Sequence, residues 1–407
     1  MPSPELMAVH VNHGLNPNAA KWAQHCESIC QKLKISYKLV ELDARAPIGE
    51  SQEAWARKLR YEALEQFTGP GDILMTAHHQ DDMAETVLIQ LFRGSGPAGL
   101  AAMPVKTVFG QGHHYRPLLQ ITRADLKVYA EQQHLVWIED DSNADQQYDR
   151  NLLRNSILPA ISQRWPAISR TLYRAARLQA DAAALLNEFG SIDIQLCGVS
   201  QGKYLSVSKL LGLYNVRAAN TLRCWIRSRG FPLPTERQLS EIFTSVLTAG
   251  PDTNPCVSWS GAELRRYRDI IFIIAPLPYF PDPELFIDWA MHIPCKLTFG
   301  SLRASRGKGE GIKADLCKND RIEVRFRSAE NLIRTAGHHR QIRKLFQEQG
   351  IAPCYRNYVP MLFIDNTLAA IPGVCIADDY LAKADEAAWR IHWTESEMAC
   401  PGSQRSQ

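Results

Sequence analysis

The first half of the chain alternates short apolar runs with amphipathic helical segments, and this alternation restricts the fold more than any other feature. Strands are predicted at residues 7–11, 37–42 and 72–76. Helices are predicted after Asn16 and from Ser51 to residue 67, because apolar side chains recur there at helical spacing behind capping residues. Strands joined by helices form a parallel sheet with helices on both faces. We expect an α/β domain with a Rossmann-like parallel sheet.

The pattern changes twice along the rest of the chain. Helical spacing dominates residues 124–134 and 151–189, which predicts a helical arm that closes the first domain. Glycine, serine and polar residues at 190–202 then mark a boundary, and four prolines at 275–283 mark a linker. We expect three domains: the α/β domain with its arm at 1–190, a mainly helical domain at 191–275, and a smaller α+β domain at 284–395.

Shorter patterns predict elements within the two later domains. Helices are expected over residues 204–247, followed by a hairpin whose second strand is 268–274. The last domain is expected to contain a basic helix at 341–349 and strands at 322–326, 361–364 and 367–371.

Composition and charge restrict the class of protein. The 407 residues include no run of about 18 uncharged apolar residues, and the N-terminus lacks the features of a signal peptide, so we expect a cytoplasmic protein without a membrane span. Ten cysteines stand mostly alone, with Cys26 and Cys30 the one close pair, which favours reduced thiols over disulfides or a zinc site. The net charge of +3 is small, but residues 301–350 contain twelve Lys/Arg against six Asp/Glu. That stretch is either a solvated surface or a surface that contacts phosphates.

The densest group of chemically active side chains lies where the third predicted strand meets the next helix. It contains His78, His79, Asp81, Asp82 and Glu85. Open α/β sheets bind ligands at this edge, and carboxylates three residues apart on a helix share a face that can hold an ammonium group or Mg²⁺. Acids in a first helical turn also serve as caps, so a capping role and a catalytic role both stay open. The spacing lacks the His-x-x-x-His pair of helical zinc sites, which argues against zinc.

Three further groups are candidates for binding phosphates. Arg57 and Arg60 are three apart on the second predicted helix, and Arg93 opens a glycine-rich loop that ends at residue 99. A polar loop at 137–149 leads into Arg150, Asn151 and Arg154. Arginines on one helical face can clamp phosphates and glycines allow close backbone approach, although a solvated helix face and a plain turn would look the same.

Five spaced blocks together resemble the N-terminal domain of the tRNA(Ile)-lysidine synthetases, which belong to the ATP pyrophosphatase, or PP-loop, superfamily. The blocks are His-Val-Asn-His-Gly-Leu at 10–15, the group at 78–86, the loop at 93–99, Arg-Pro-Leu-Leu at 116–119, and the polar loop at 139–143 with the arginines that follow it. The likeness extends to about residue 190, and the stretch 324–363 is similar to the family's last domain. It implies an ATP pyrophosphatase-like catalytic domain, a middle substrate-binding domain and a C-terminal tRNA-binding domain.

The resemblance implies a reaction and roles for residues. ATP would adenylate the wobble cytidine of an isoleucine tRNA with a CAU anticodon, and L-lysine would displace AMP; Mg²⁺ is implied by the ATP chemistry. His78, His79, Asp82 and Glu85 would be catalytic, with the carboxylates binding the lysine ammonium group. The implied substrate-binding residues are Arg57, Arg60, Asp81, Arg93, Arg150, Asn151 and Arg154. The implied tRNA-binding residues are Arg321, Arg325, Arg327, Arg340, Arg343 and Lys344. A homodimer is compatible with this assignment.

One motif of the family is missing from the sequence. Its members carry a Ser-Gly-Gly-x-Asp-Ser loop after the first strand, where backbone N–H groups at a helix N-terminus bind pyrophosphate. Residues 1–9 are similar to the segment that follows this loop, so we expect a start site assigned too far downstream or a truncated gene. Residues 1–407 alone are expected to bind ATP weakly.

Two other functions stay open from the sequence. A tRNA thiolation enzyme would share the fold and the ATP chemistry, but its cytidine-specific members carry a Cys-x-x-Cys pair for an iron–sulfur cluster, which this sequence does not contain. A non-catalytic tRNA-binding protein would use the basic stretch 321–344 and consume no ATP.

Overall fold

The computed structural model describes residues 5–250, 253–278, 286–298, 300–317, 321–326 and 332–395. The chain divides into two compact units, Met1–Leu185 and Leu186–Gln407. This division lies close to the boundary predicted at residue 190, and the second unit contains both of the later predicted domains. No helix of the described residues is long and apolar enough to span a membrane.

The first unit alternates strands and helices, as predicted. Its strands are β1 (Met7–Asn12), β2 (Ser36–Glu41), β3 (Ile73–Met75), β4 (Lys106–Phe109) and β5 (Gly112–Tyr115). Its helices are α1 (Ala19–Leu33), α2 (Gln52–Glu65), α3 (Gln80–Phe92), α4 (Pro97–Leu100), α5 (Arg123–Gln132), α6 (Asp149–Leu152), α7 (Leu158–Arg164) and α8 (Ile168–Cys197), the last of which continues past residue 185.

Local hydrogen bonds explain where these helices begin. The Ser51 side chain accepts the backbone N–H of Ala54 and caps α2, as the sequence predicted. Helix α1 begins later than expected, because the Asn16 side chain accepts the backbone N–H of Asn18 at 2.8 Å in a local turn instead of capping the helix. Asn18 is therefore the residue that precedes the first turn.

The parallel strands of the first unit form two small sheets instead of one. β1 pairs with β2 in parallel, and β3 pairs with β5 in parallel while β4 adds an antiparallel edge. The pairing of β3 with β5 places Leu74 opposite His114, which brings the end of β3 next to a segment distant in sequence. Helix α3 follows β3 and packs its apolar face, including Met83 and Val87, against Leu119 and Ala176 of α8.

The predicted helical arm is present and includes one irregular turn. A π-helical turn at Leu153–Ile157 joins α6 to α7, and α8 extends over 30 residues. Turns of this kind widen a helix locally and occur often at functional sites. Arg154 lies in this turn, and its side chain reaches α3.

The second unit begins with a mixed helical and antiparallel region. Its strands are β6 (Gly198–Val199), β7 (Tyr204–Ser206), β8 (Cys256–Trp259), β9 (Ala262–Tyr267) and β10 (Ile270–Ile274), in the order β6-β7-β10-β9-β8. Its helices are α9 (Val207–Leu211), α10 (Asn215–Ser228) and α11 (Glu236–Glu241), which continues into a π-helical turn at Ile242–Val246. The sheet is larger than the predicted hairpin, because the segment that begins at Tyr204 starts as a strand.

The remaining residues that the structure describes form two antiparallel sheets, a hairpin, one α-helix and short 3-10 turns. The five-stranded sheet consists of β11 (Ile287–Ala290), β15 (Arg321–Arg325), β18 (Met361–Ile364), β19 (Thr367–Ile371) and β20 (Cys375–Ile376). The four-stranded sheet consists of β12 (Cys295–Leu297), β13 (Gly300–Lys308), β14 (Ile312–Lys313) and β21 (Ala387–Glu395). The hairpin and helix are β16 (Leu332–Thr335), β17 (His338–Gln341) and α12 (Ile342–Glu348).

The sheets of the second unit are stacked through shared apolar cores. One core joins Tyr267 and Phe272 of the sheet that contains β6–β10 to α12 and to Met361 and Phe363 of the sheet that begins with β11. A separate core joins the other face of that five-stranded sheet to Leu302 and Trp389 of the four-stranded sheet. The predicted linker 275–283 is described only to residue 278, and residues from both of its flanking regions belong to one apolar core.

Candidate active site

The start of α3 gathers the predicted histidines and carboxylates. His79 precedes the helix, and its Nδ1 accepts the backbone N–H of Asp82 at 3.3 Å. The Asp82 carboxylate in turn accepts the backbone N–H of His79 at 3.0 Å, which completes a capping box. Burial lowers the pKa of His79, and the bond at Nδ1 requires an unprotonated nitrogen. The capping role left open for the acids therefore applies to Asp82, and His79 completes the same capping box.

Glu85, one turn further along α3, is a fully buried carboxylate. Arg154 donates to it twice, from Nε to Oε1 at 2.7 Å and from Nη2 to Oε2 at 2.9 Å. The same Nη2 donates to Asp82 Oδ1 at 3.0 Å, and Nε of Arg150 lies 3.6 Å from Glu85 Oε2. Burial raises the pKa of Glu85, while the hydrogen bonds from Arg154 oppose that shift. The fold thus brings together four predicted residues, two carboxylates and two guanidinium groups.

A second group extends from the end of β3 to β5. Thr76 Oγ1 lies 2.7 Å from His78 Nδ1 and 2.8 Å from His114 Nε2, and Arg116 Nη2 lies 3.0 Å from His114 Nδ1. An arginine can only donate, so His114 Nδ1 accepts and its Nε2 carries the proton. His114 then donates to Thr76, and the Thr76 hydroxyl donates to His78 Nδ1. We call this chain, Arg116–His114–Thr76–His78, the relay.

The relay determines the protonation state of its last member. Because His78 Nδ1 accepts a hydrogen bond, the neutral ring carries its proton on Nε2 and presents that N–H as a donor. Burial lowers the pKa of His78 to about 4 and that of His114 to about 4, and the neighbouring arginines act in the same direction. Both rings are therefore neutral at physiological pH.

Two cavities flank these groups. The first, of about 340 Å³, is lined by four arginines, namely Arg57, Arg93, Arg116 and Arg150, but by only two acids, Glu53 and Asp149. Nε of Arg116 and Nε of Arg150 are buried and have no hydrogen-bond partner among the described residues. A concave site with excess positive charge and unused donors is suited to an anion such as a phosphate group.

The second cavity, of about 530 Å³, is lined by Asp81, Glu85, Arg123, Arg154 and Arg170 among others. Asp81 has structural partners there, since its carboxylate accepts the backbone N–H of Arg123 at 2.8 Å and the hydroxyl of Ser169 at 2.9 Å. These bonds attach α3 to α5 and α8, so Asp81 lies beside the candidate site but is already engaged.

Two of the predicted substrate-binding residues make contacts within the protein instead. Arg60 Nε donates to His13 Nε2 at 3.0 Å and does not line the first cavity. Arg57, three residues earlier, lines that cavity and lies over the ring of Tyr61. Asn151 is buried and donates to the carbonyl oxygens of Ser142 and Asp145, which holds the polar loop against α6. The shared helical face of the two arginines therefore did not bring both into the same cavity.

Sequence reasoning assigned no site role to Thr76, which opens the candidate cluster, or to His114 and Arg116. Arg116 stood in one of the five blocks of the resemblance but was given no role, and the consecutive histidines His113 and His114 were not considered. The available signal was a histidine in a short strand and an arginine two residues further on, just after the strand ends, a spacing that places both on one face. Knowing which face required the pairing of β3 with β5.

The residues predicted to bind tRNA differ in their availability. Arg321 donates from Nε to Asp288 at 2.8 and 2.9 Å, Arg325 is paired with Glu323, and Arg340 with Glu348. Arg343 and Lys344 are exposed on α12, and no ion pair found among the described residues includes them. Arg327 lies outside the described residues.

The described residues do not supply a ready site for Mg²⁺. They contain no group of three or more His, Cys, Asp or Glu side chains positioned to hold a metal ion. Asp82 and Glu85, the best candidates by charge, are both hydrogen-bonded to Arg154. The fit is poor, and we derive no step through a metal ion.

Three family models match successive parts of the chain. The PP-loop domain matches residues 2–161, the TilS substrate binding domain matches residues 205–272, and the TilS substrate C-terminal domain matches residues 322–393. A solved structure, the U34-tRNA thiolase NcsA from Methanococcus maripaludis with its 4Fe-4S cluster, shows a weaker likeness, with 18% identity and a TM-score of 0.38 over 44% of this chain and 63% of that chain.

Relatives with curated names match over almost the whole chain. The tRNA(Ile)-lysidine synthase of Coxiella burnetii is 39% identical over 390 residues, which cover 95% of this chain and 86% of that protein. The tRNA(Ile)-lysidine synthase of Methylococcus capsulatus is 37% identical over 394 residues, which cover 96% of this chain and 90% of that protein. With identity at this level along nearly its full length, the chain belongs to the tRNA(Ile)-lysidine synthase family.

Proposed function

We propose that this protein uses ATP to join L-lysine to the wobble cytidine of an isoleucine tRNA with a CAU anticodon. The observation that carries the proposal is a cavity with four arginines near the carboxylates of Asp82 and the buried Glu85, in a chain of this family. The reaction has two steps: the cytidine displaces pyrophosphate from ATP, and the lysine amine then displaces AMP. It needs cations near phosphorus and carboxylates near an amine.

The arginine-lined cavity is suited to the first step. Arg57, Arg93 and Arg150 are positioned to bind phosphate oxygens, and Arg116 adds a buried positive charge beside them. His78 offers an Nε2–H donor whose direction is set by Thr76. We propose that this donor stabilises the negative charge that develops on a phosphate oxygen while the adenylyl group is transferred to the cytidine. A neutral imidazole can fill this role without first losing a proton.

The carboxylates Asp82 and Glu85 are suited to the second step. We propose that they bind the lysine ammonium group, as opposite charges in a buried site do. In this structure Arg154 satisfies both carboxylates, so lysine would share them with the guanidinium group or displace it. Arg154 is therefore proposed as a positioning residue that keeps Glu85 ionised while lysine is absent. Because tRNA and ATP are the proposed substrates, we place the reaction in the cytoplasm.

The experiment that tests this proposal measures release of pyrophosphate by the protein expressed from its gene, with ATP and the CAU tRNA, in the presence and absence of lysine. Release that depends on the tRNA supports the first step. We expect Arg57→Ala to raise the KM for ATP by roughly ten- to a hundredfold, as loss of a hydrogen bond to a charged group predicts. Lys58→Ala, on the same helix but directed at Trp55, is the matched control and should leave this KM unchanged. Binding of tRNA without any pyrophosphate release would favour a non-catalytic tRNA-binding protein.

A further inference from the structure

Tyr61 of α2 supports Arg57, one of the arginines that line the first cavity, and sequence reasoning gave it no role. Arg57 precedes Tyr61 by one helical turn, and residues four apart on a helix share a face. The guanidinium carbon of Arg57 lies 5.0 Å from the centroid of the Tyr61 ring, and its Nη2 lies 3.5 Å from the Tyr61 hydroxyl oxygen. The face of an aromatic ring attracts a cation at this distance. Arg57 therefore rests on the Tyr61 side chain.

The ring of Tyr61 is itself held by other rings. Its centroid lies 5.9 Å from the centroids of both His114 and Phe109, and those two rings lie 6.0 Å apart. Tilted and edge-on pairs of rings at such distances are stabilising. Phe109 belongs to β4 and His114 to β5, so the three rings attach α2 to these two strands. The position of the Tyr61 ring, and with it that of Arg57, is therefore set by contacts outside α2.

Arg116 is a second cavity arginine near Tyr61. It is buried, and it donates from Nη1 to the carbonyl oxygen of Pro104 at 2.8 Å and from Nη2 to His114 Nδ1 at 3.0 Å. Burial lowers the pKa of Arg116, and the Tyr61 hydroxyl acts against that shift. One phenol oxygen therefore lies within electrostatic reach of two guanidinium groups.

These two arginines carry like charges. The contacts found for Arg57 and Arg116 among the described residues are to an aromatic ring, an imidazole and oxygen atoms without a formal charge. Arg57 also lowers the pKa of Arg116, as a neighbouring cation does. A carboxylate in the place of Tyr61 would attract both arginines but would cancel part of their charge. A phenol ring attracts them and leaves their charge available to an anion.

We propose that Tyr61 is a positioning residue that holds the guanidinium groups of Arg57 and Arg116 in place for phosphate oxygens, an inference that rests on the proposed function. Tyr61 is not among the residues that line the first cavity, so it acts through the two arginines and not by contact with a substrate. An arginine side chain loses conformational freedom when it binds an anion, and one that is already held in place loses less. Loss of the Tyr61 ring should therefore weaken ATP binding without a change at Asp82 and Glu85, the carboxylates proposed to bind lysine.

The test measures incorporation of labelled lysine into the CAU tRNA by the protein expressed from its gene, first at varied ATP and then at varied lysine. We expect Tyr61→Leu to raise the KM for ATP roughly ten- to a hundredfold, because a cation–π contact and a polar contact to a charged group are lost, and to leave the KM for lysine within about twofold. Tyr61→Phe keeps the ring under Arg57 and should restore the KM for ATP to within about fivefold of the wild type. Tyr61→Met removes the same contacts and replaces Tyr61→Leu if that variant does not fold.

The matched control is Tyr37→Phe. The Tyr37 hydroxyl donates to the carbonyl oxygen of Ala23 at 3.1 Å, and Tyr37 does not line the first cavity. Loss of this hydroxyl should change neither KM. The double variant Arg57→Ala/Tyr61→Leu should raise the KM for ATP by less than the product of the two single effects, because Tyr61 acts through Arg57.

The outcomes separate this inference from the function on which it rests. In a wild-type protein that incorporates lysine, an unchanged KM for ATP in the Tyr61→Leu variant would overturn the inference alone. A parallel rise of the KM for ATP and the KM for lysine, with no recovery in Tyr61→Phe, would also overturn it, because a purely structural role predicts that pattern. A wild-type protein that incorporates no lysine would overturn the proposed function and this inference together.

Discussion

The Arg154 guanidinium group donates to both oxygens of the buried Glu85 carboxylate, at 2.7 and 2.9 Å. The contact joins the π-helical turn of the arm to helix α3, 69 residues apart in sequence. It therefore connects the helical arm to the strand-and-helix region in which the other candidate site residues lie.

Removal of one partner from this pair should be costly. Arg154→Leu leaves a fully buried carboxylate with only Arg150 nearby at 3.6 Å, and loss of a partner from a buried ion pair destabilises by about 3–5 kcal/mol. We expect the urea midpoint of the first unit to fall accordingly. The double variant Glu85→Leu/Arg154→Leu should lose less stability than the single variant, because no unpaired buried charge remains. A single variant as stable as the wild type would contradict a buried ion pair between α3 and the arm.

The relay predicts a specific dependence of stability on pH. His78 and His114 have pKa values of about 4 in the folded protein against 6.5 for an ordinary histidine, so between these values the unfolded chain binds more protons. The two histidines therefore cost no stability above about pH 6.5, and the free energy of unfolding falls as the pH is lowered from there toward 4. Thermal unfolding at pH 7 and pH 5 would check this. His114→Gln should reduce the difference between the two midpoints, whereas His338→Gln, at an exposed position, should leave it unchanged.

The same hydrogen bonds predict which nitrogen of His78 carries the proton. Nitrogen-15 NMR at pH 7 should show a neutral ring with the proton on Nε2, because Thr76 donates to Nδ1. Thr76→Val removes this donor, so the two tautomers should then coexist, and kcat should fall with little change in the KM for tRNA. A wild-type ring protonated on Nδ1 would rule out donation from Thr76 to His78.

The outcome of the sequence predictions depended on how local the signal was. The strands at 361–364 and 367–371 were predicted with correct bounds, since the turn at Asp365 and Asn366 lies between two apolar runs. The helix start at Ser51 was also predicted from neighbouring residues alone. In contrast, β13 was missed, because its arginines and glycines conceal the alternation of Leu302 and Ala304 on the side that joins the core.

Relationships between distant residues were not accessible from the pattern. The contact of Thr76 with His114 depends on the parallel pairing of β3 with β5, and that of Arg154 with Glu85 depends on how the arm packs. The basic stretch 321–344 was recognised from composition, but composition does not show that Asp288, Glu323 and Glu348 pair with its arginines. These contacts and ion pairs depend on chain topology, which residue type alone does not reveal.

The shared core of the second unit predicts that its two regions unfold together. Phe272 of β10 is buried and stacks on Tyr355 with ring centroids 6.1 Å apart, across the predicted domain boundary. Phe272→Ala should destabilise the second unit by about 3–5 kcal/mol and lower the unfolding midpoint of both regions equally. Phe286→Ala, at an exposed position, is the control. Separate unfolding transitions for the two regions in the Phe272 variant would contradict a single core.

The central claim concerns the transfer of lysine to a wobble cytidine, and incorporation of labelled lysine tests it most directly. The protein expressed from its gene would be incubated with ATP, labelled L-lysine and an isoleucine tRNA with a CAU anticodon, beside the same tRNA with uridine at the wobble position. We expect one lysine per CAU tRNA, dependent on ATP, with the mass of the wobble nucleoside increased accordingly, and none in the uridine control. Incorporation of no lysine by a protein that binds this tRNA and ATP, or equal incorporation into both tRNAs, would contradict the account.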